Sequence, residues 1–253
     1  MRIPTIRASL TRLGNAARPL ARRVPLLREA YFTLSPTARR NARDDRQLQL
    51  LLAVTLKEDS CCVDIGAHRG SFLEQALRYS PRGQHIAFEP LPDLAAELRR
   101  RFPTVEVRAS ALSNTTGTAE FIRYRARPAL SGLRAREHVH AHAETLEVPL
   151  VRLDDALPEG YAPRVIKIDV EGAEGQVLQG AVATMLRHRP LVVFEHGKTG
   201  APHYGTAPHH VYALLVEQAR LQLFDMDGDG PLSLVRFNEL FESGTRWNFI
   251  AVP

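Results

Sequence analysis

The sequence has little with which to cross-link itself or to enter a membrane. Its 253 residues include two cysteines, and these are neighbours, Cys61 and Cys62. Adjacent cysteines rarely form a structural bridge, which removes a disulfide scaffold and points to a reducing cytoplasm with the thiol pair in a strand. No apolar run approaches the ~18 residues that a membrane-spanning helix needs, so a soluble chain is expected. Tryptophan occurs once and lysine three times, against 30 arginines. Basic and aromatic residues are not interleaved, and no nucleic-acid reader motif is present, so no nucleic acid is expected as a partner. What is present is 44% hydrophobic and 24% charged. That suits one α/β domain with a full core and a short appendage, and excludes disordered and collagenous chains.

Charge is distributed unevenly. Residues 1–46 hold 11 of the 33 basic groups and three acids (Glu29, Asp44 and Asp45), a net of +8, whereas the remaining 207 residues carry a net of −3. The sequence thus divides into a basic, partly helical arm over 1–46 and a globular domain over 47–253. Pro4, Pro19 and Pro25 interrupt the long amphipathic helix that a transit peptide would require. A basic arm of this kind leaves room for a weak contact with a membrane surface.

From residue 47 onward helical and β-rich stretches alternate. QLQLLLAVTL (47–56) reads as a helix. CCVDI (61–65), HIAFE (85–89), VEVRA (105–109), VIKID (165–169) and LVVFE (191–195) read as strands, with helical stretches between them. Strands that are apolar on both faces belong to a parallel sheet covered on both sides. About five such units fit the length, so an open doubly wound, mostly parallel sheet is expected rather than an eight-fold barrel. GTAEFIRY (117–124) and TLEVPLVRLDD (145–155) suggest an added hairpin. LQLFDMDGDGPLSLV suggests two strands around an acidic turn, and WNFIAVP (247–253) a final strand, which together give a C-terminal antiparallel hairpin.

Two segments carry the chemistry. VDIGAHRG (63–70) joins the first strand to its helix, where Gly66 and Gly70 allow a sharp bend and close approach to a ligand at a helix N-terminus. Its spacing departs from the dinucleotide fingerprint, with His68 where a middle glycine would stand, and the carboxylate of Asp64 suits a ligand bearing an ammonium group. Glu89 closes the second strand, 25 residues after Asp64, where an acid accepts hydrogen bonds from adjacent ribose hydroxyls. The second segment, VIKIDVEGAEGQVLQG (165–180), puts Lys167 and Asp169 in an apolar strand, and buried charge there needs a partner or the sheet edge. Asp169 falls at the carboxyl end, where open α/β sheets bind ligands; Glu171 and Glu174 also suit the first turn of a helix.

Other groups are weaker. His138, His140 and His142 alternate without a partnering cysteine or carboxylate and read as a solvated loop. DMDGDG (225–230) has the first offsets of a calcium loop, but Arg236 stands where the twelfth ligand would be, so it reads as an acidic turn. No metal site is expected. Glu195, which closes the fifth strand at the ligand-binding end, and His196 directly after it are, with Glu171, the residues expected to supply a general base.

In combination and order, VDIGAHRG, FEP (88–90), ASALSN (109–114), VPLVRLDD (148–155), IKIDVEGAE (167–174) and VVFE (192–195) resemble the FkbM-type methyltransferases. The resemblance runs from about Cys61 to Glu195. It implies a class I, Rossmann-like fold, S-adenosylmethionine as cofactor, and methylation of a hydroxyl on a sugar, glycan or natural-product scaffold. It also implies that Asp64, Gly66, Ala67 and Gly70 line the methionine end of the cofactor, that Glu89 holds the ribose, that the Ser110 region borders the adenine, and that Asp169 sits near the sulfonium. Two alternatives belong to other classes: a nicotinamide-dependent oxidoreductase, and a non-catalytic domain of the same fold binding a partner through its arm.

Overall fold

The computed structural model describes residues 35–125, 130–135 and 143–253. His138, His140 and His142, and most of the basic arm, lie outside them. The chain divides between Leu50 and Leu51 into two units. Helix α1 spans Pro36–Thr55, beginning eleven residues before the helix expected at Gln47. Its first half is charged rather than apolar, so periodicity misses it, but Arg40 and Asp44 pair at helical i,i+4 spacing, 2.5 Å apart.

The second unit alternates strands and helices in the expected order: β1 Cys61–Ile65, α2 Ser71–Tyr79, β2 His85–Phe88, α3 Pro92–Arg101 and β3 Glu106–Arg108. After a gap come β7 Pro163–Ile168, α5 Glu174–Gln179, α6 Val182–His188 and β8 Leu191–Glu195. The helical stretch expected as one piece after β7 is two helices, α5 and α6, broken at Gly180. A Cβ on Gly180 would stand 2.1 Å from the Ser113 carbonyl oxygen.

The main sheet has seven strands in the order β3-β2-β1-β7-β8-β10-β9, where β9 is Gln222–Asp225 and β10 is Asn248–Val252. All pairs from β3 to β8 are parallel, and β10 runs antiparallel to both β8 and β9. Alternate residues serve opposite faces, as a pleated strand requires. Val63, Ile65, Ile86, Phe88, Ile166 and Ile168 enter the main core with Val177, Leu178 and Met185 of α5 and α6. Ala87, between two of them, joins Leu73, Leu98 and Phe102 in a second cluster. The sheet is thus the doubly wound, mostly parallel one expected, with its terminal antiparallel strands.

One terminal element differs from expectation. LSLV after the acidic turn is no strand: beyond the short helix α7, Pro208–Tyr212, and strand β9, the chain enters helix α8, Leu234–Ser243. Ser233 caps it by accepting from the Arg236 N–H, and Phe237, Leu240 and Phe241 recur at helical spacing on its buried side. The acidic turn itself is tied down by Arg246, which reaches Asp225 at 3.1 Å and Asp227 at 2.9 Å.

The expected hairpin forms a second, small sheet. β5 Gly117–Tyr124 pairs antiparallel with β6 Ala143–Val151, and the two-residue β4, Ala111–Leu112, adds to the other edge of β6. Backbone hydrogen bonds between Ile122 and Gly132 fasten the segment 130–135 onto β5. A short α4, Leu153–Ala156, then leads back to β7.

Candidate active site

The carboxyl ends of β1, β2, β3 and β7 open onto one crevice of about 830 Å³, part of it open to solvent. Its walls include Gly66, His68, Glu89, Ser110, Asp169 and Glu171. Sequence positions far apart are therefore gathered where open α/β sheets bind ligands.

Strand register explains the buried charges. β1 and β7 are parallel neighbours with Asp64 beside Lys167, and Asp169 lies two residues on, toward the same face. Lys167 Nζ consequently stands 3.4 Å from Asp64 Oδ1, 3.3 Å from Asp169 Oδ2 and 3.4 Å from the Gly66 carbonyl. Burial disfavours the ammonium, yet Asp169 and Asp64 together hold Lys167 above the ordinary lysine range. Asp64 is fully buried; burial pushes its carboxyl up while Lys167 pulls it down. Asp64 acts here by holding Lys167, and it does not line the crevice.

Glu89 is the other fixed carboxylate. Oε2 accepts the His68 N–H at 2.8 Å and Oε1 the Leu91 N–H at 3.0 Å, which ties the β1–α2 loop to the end of β2. Burial nevertheless pushes Glu89 up to about 6, against these two hydrogen bonds. Each oxygen keeps a lone pair, so the group retains acceptor capacity toward the crevice.

The two loop glycines answer to protein neighbours. Gly66 has φ +78°, and an added Cβ would lie 2.0 Å from the Asp169 carbonyl oxygen. Gly70 shares that φ, and its Cβ would meet Phe102 at 2.4 Å and Leu98 at 2.9 Å. Gly66 lines the crevice; Gly70 and Ala67 do not, and Ala67 packs in the cluster with Leu73, Leu98 and Phe102.

After β7 the backbone turns through two left-handed residues, Glu171 at φ +57° and Gly172 at φ +113°. Glu174 holds this turn: its Oε1 accepts both the Val170 and Gly172 N–H groups at 3.0 Å. Burial raises Glu174 to about 7. Sequence reasoning gave Glu174 only a helix first-turn role; nothing local in the sequence distinguishes a carboxylate turned back on its own loop. Asp169 and Glu171 are left on the crevice wall.

Glu195 ends β8 and His196 follows it, both outside the crevice lining. Glu195 is held well above the ordinary carboxylate range by burial, then by the nearby charges of Asp169, Glu171 and Glu174. His196 is fully enclosed, its ring stacked 4.8 Å from Phe241 and 5.7 Å from Phe237. Burial pushes it down to about 4, so it is a neutral ring in an apolar box. Sequence reasoning missed the apolar walls Phe88, Phe121 and Leu133. Phe121 and Leu133 come from the inserted hairpin, which only the fold brings over the crevice.

Among the described residues no group of three or more His, Cys, Asp or Glu is arranged to hold a metal ion, and no helix is long and apolar enough to cross a membrane.

The model of the methyltransferase FkbM domain matches residues 64–222. No curated protein matches the chain. Among solved structures, methyltransferase FkbM from Methylobacillus flagellatus is 15% identical, with a TM-score of 0.49 over 78% of this chain and 44% of that one. This chain therefore spans less than half the length of that relative. A TehB-like SAM-dependent methyltransferase from Corynebacterium glutamicum is 10% identical, with a TM-score of 0.43 over 83% and 85% of the two chains. The plantazolicin methyltransferase in complex with SAH is 10% identical, with a TM-score of 0.45 over 97% of each.

Proposed function

The chain belongs to the FkbM methyltransferase family, a class I fold whose cofactor is S-adenosylmethionine, and on that premise we propose that it methylates a hydroxyl oxygen of a sugar, glycan or natural-product scaffold. The observation that carries this reading is the crevice at the strand ends, with one fixed carboxylate after β2 and a group of carboxylates after β7 and β8. Its lining is mostly apolar with a few convergent polar groups, the pattern of small-molecule sites.

Glu89, anchored by two backbone N–H groups, would accept the ribose hydroxyls, and Ser110 would border the base. Gly66 and Asp169 would face the amino-acid end, with Lys167 and Asp64 keeping Asp169 in place. The bound cofactor supplies a methyl group on a positively charged sulfur, the electrophile of the reaction. Asp169 carries negative charge beside that position without forming a bond.

An acceptor hydroxyl needs a base to take its proton as the oxygen attacks, a contribution of about 10²–10⁴-fold in rate. Asp169 is engaged by Lys167, and His196 is boxed in by phenylalanines. We assign the proton to Glu171, the carboxylate that shares the β7 end of the crevice wall with Asp169.

The test is mass spectrometry of a panel of sugars, glycans and polyhydroxylated scaffolds incubated with deuterated S-adenosylmethionine. A labelled methyl on oxygen, lost at least a hundredfold in rate in Glu171→Gln with donor affinity unchanged, is the expected result. Label found only on nitrogen or carbon would overturn the O-methylation reading.

A further inference from the structure

Helix α1 runs unbroken from Pro36 to Thr55, so residues along it share a face by helical geometry alone. Arg39, Arg43, Arg46, Leu50 and Val54 fall within an arc of about 80° around the helix axis, and all five are exposed. Val54 is 81% exposed and Leu50 68%, two of the three most exposed large hydrophobic side chains among the described residues. Leu52, on the opposite side of the helix, is fully buried, so packing fixes which face looks outward. The helix has two acids, Asp44 and Asp45, and neither falls on the arc. A basic row thus continues into an apolar pair along one side of one helix.

We propose that this face of α1 rests on an anionic lipid bilayer, with Arg39 and Arg46 on the headgroup phosphates and Leu50 and Val54 at the acyl boundary. The inference is independent of the methyltransferase reading. Exposed hydrophobics scattered singly are ordinary on a protein surface, but two at i,i+4 spacing that prolong an arginine row are not scattered. A surface that is negatively charged above and apolar beneath matches both halves of the face. A nucleic acid would answer the arginines and leave Leu50 and Val54 in water. Guanidinium groups also pair with phosphate oxygens in a bidentate fashion, which suits arginine to the headgroup layer. The net charge of +8 over residues 1–46 adds to the attraction, which amounts to roughly fivefold in affinity per arginine at such a surface.

The experiment is co-sedimentation of the full chain with phosphatidylcholine vesicles containing about one-third phosphatidylglycerol, and with phosphatidylcholine vesicles alone. Binding is expected on the anionic vesicles, and about tenfold weaker or more on the neutral ones and in high salt. Arg39→Glu/Arg46→Glu is expected to weaken it about tenfold or more, and Leu50→Gln/Val54→Gln about tenfold. Both variants change exposed side chains and keep good helix formers, so their melting temperatures should match the wild type. Failure of the wild-type chain to bind anionic vesicles, or unchanged binding in either variant, would overturn the proposal. So would single-stranded RNA bound as tightly as lipid, lost in the arginine variant and kept in the other, which would make the partner a nucleic acid. A lower melting temperature or an altered oligomeric state in Leu50→Gln/Val54→Gln would mean that protein covers the pair, and would overturn it as well. S-adenosylhomocysteine calorimetry stays a separate test of the methyltransferase reading, since none of these outcomes touches cofactor binding.

Discussion

Gly66 and Gly160 make a matched pair. Both have φ +78°, but a Cβ on Gly66 would lie 2.0 Å from the Asp169 carbonyl oxygen, while one on Gly160 would meet nothing within 4 Å. The left-handed conformation costs an alanine about 1–2 kcal/mol at either position. Only Gly66→Ala also forces the β1 loop away from the β7 loop, an overpacking cost of about 1–3 kcal/mol. Gly160→Ala should therefore lose about 1–2 kcal/mol and Gly66→Ala about 2–5 kcal/mol. At roughly 2–4 °C per kcal/mol for a body of this size, the two melting temperatures should differ by about 2–12 °C. Differential scanning calorimetry measures the difference, and urea titration at 25 °C checks that the m-values agree. Since Gly66 also lines the crevice, the same variant should bind S-adenosylhomocysteine more weakly, whereas Gly160→Ala should bind normally. Equal destabilisation by the two substitutions would refute the claim that the close approach of the two loops is what demands glycine at 66.

Lys167→Met leaves the fully buried Asp64 without its counter-charge and should cost about 3–5 kcal/mol in urea unfolding, with Lys167→Met/Asp64→Leu recovering part of the loss. Glu89 has its carboxyl raised to about 6, so S-adenosylhomocysteine affinity should fall as pH drops through that value. Glu89→Gln should bind at least about tenfold more weakly at pH 7.5, having lost a charge-assisted hydrogen bond, and show no such pH dependence by calorimetry. Glu174 is raised from 4.5 to about 7, so the folded state holds its proton more tightly than the unfolded chain does. That contribution to stability is complete below about 4.5 and is lost as pH rises through 7, with Glu89 acting in the same sense. The urea midpoint should accordingly fall from pH 5 to pH 8 in the wild type and fall less in Glu174→Gln; identical slopes would count against a buried, proton-holding Glu174.

The parallel half of the sheet was legible because its strands are short apolar runs bounded by turn residues, and β1 and β8 match their expected limits to the residue. The charged half of α1 was not, since arginine and aspartate form helix through i,i+4 pairing that an apolar pattern does not register. α8 was misread because LSLV alternates like a strand; the helical repeat appears only once Phe237, Leu240 and Phe241 are included. In the site, Glu89 and Asp169 could be named because strand ends have a known role. The partner of Lys167 could not be, because register between β1 and β7 is a property of the assembled sheet. The glycines were identified correctly as special but for an incomplete reason: a sequence shows that a residue lacks a Cβ and is silent about which neighbour requires the space.

The order β8-β10-β9 has a consequence for how the molecule is made. β9 leaves the ribosome before β10, which is its one strand partner among the described residues, so on emergence it has no edge to join. The parallel strands up to β8 can assemble vectorially, whereas β9, α8 and the ring of Phe237 wait for Phe249 to arrive and meet it edge-on at 4.8 Å. Until then the growing polypeptide exposes the flank of β8, an apolar ribbon ready to capture a stray strand. A nascent chain stalled between Asp225 and Asn248 should therefore be a preferred client of a holdase chaperone.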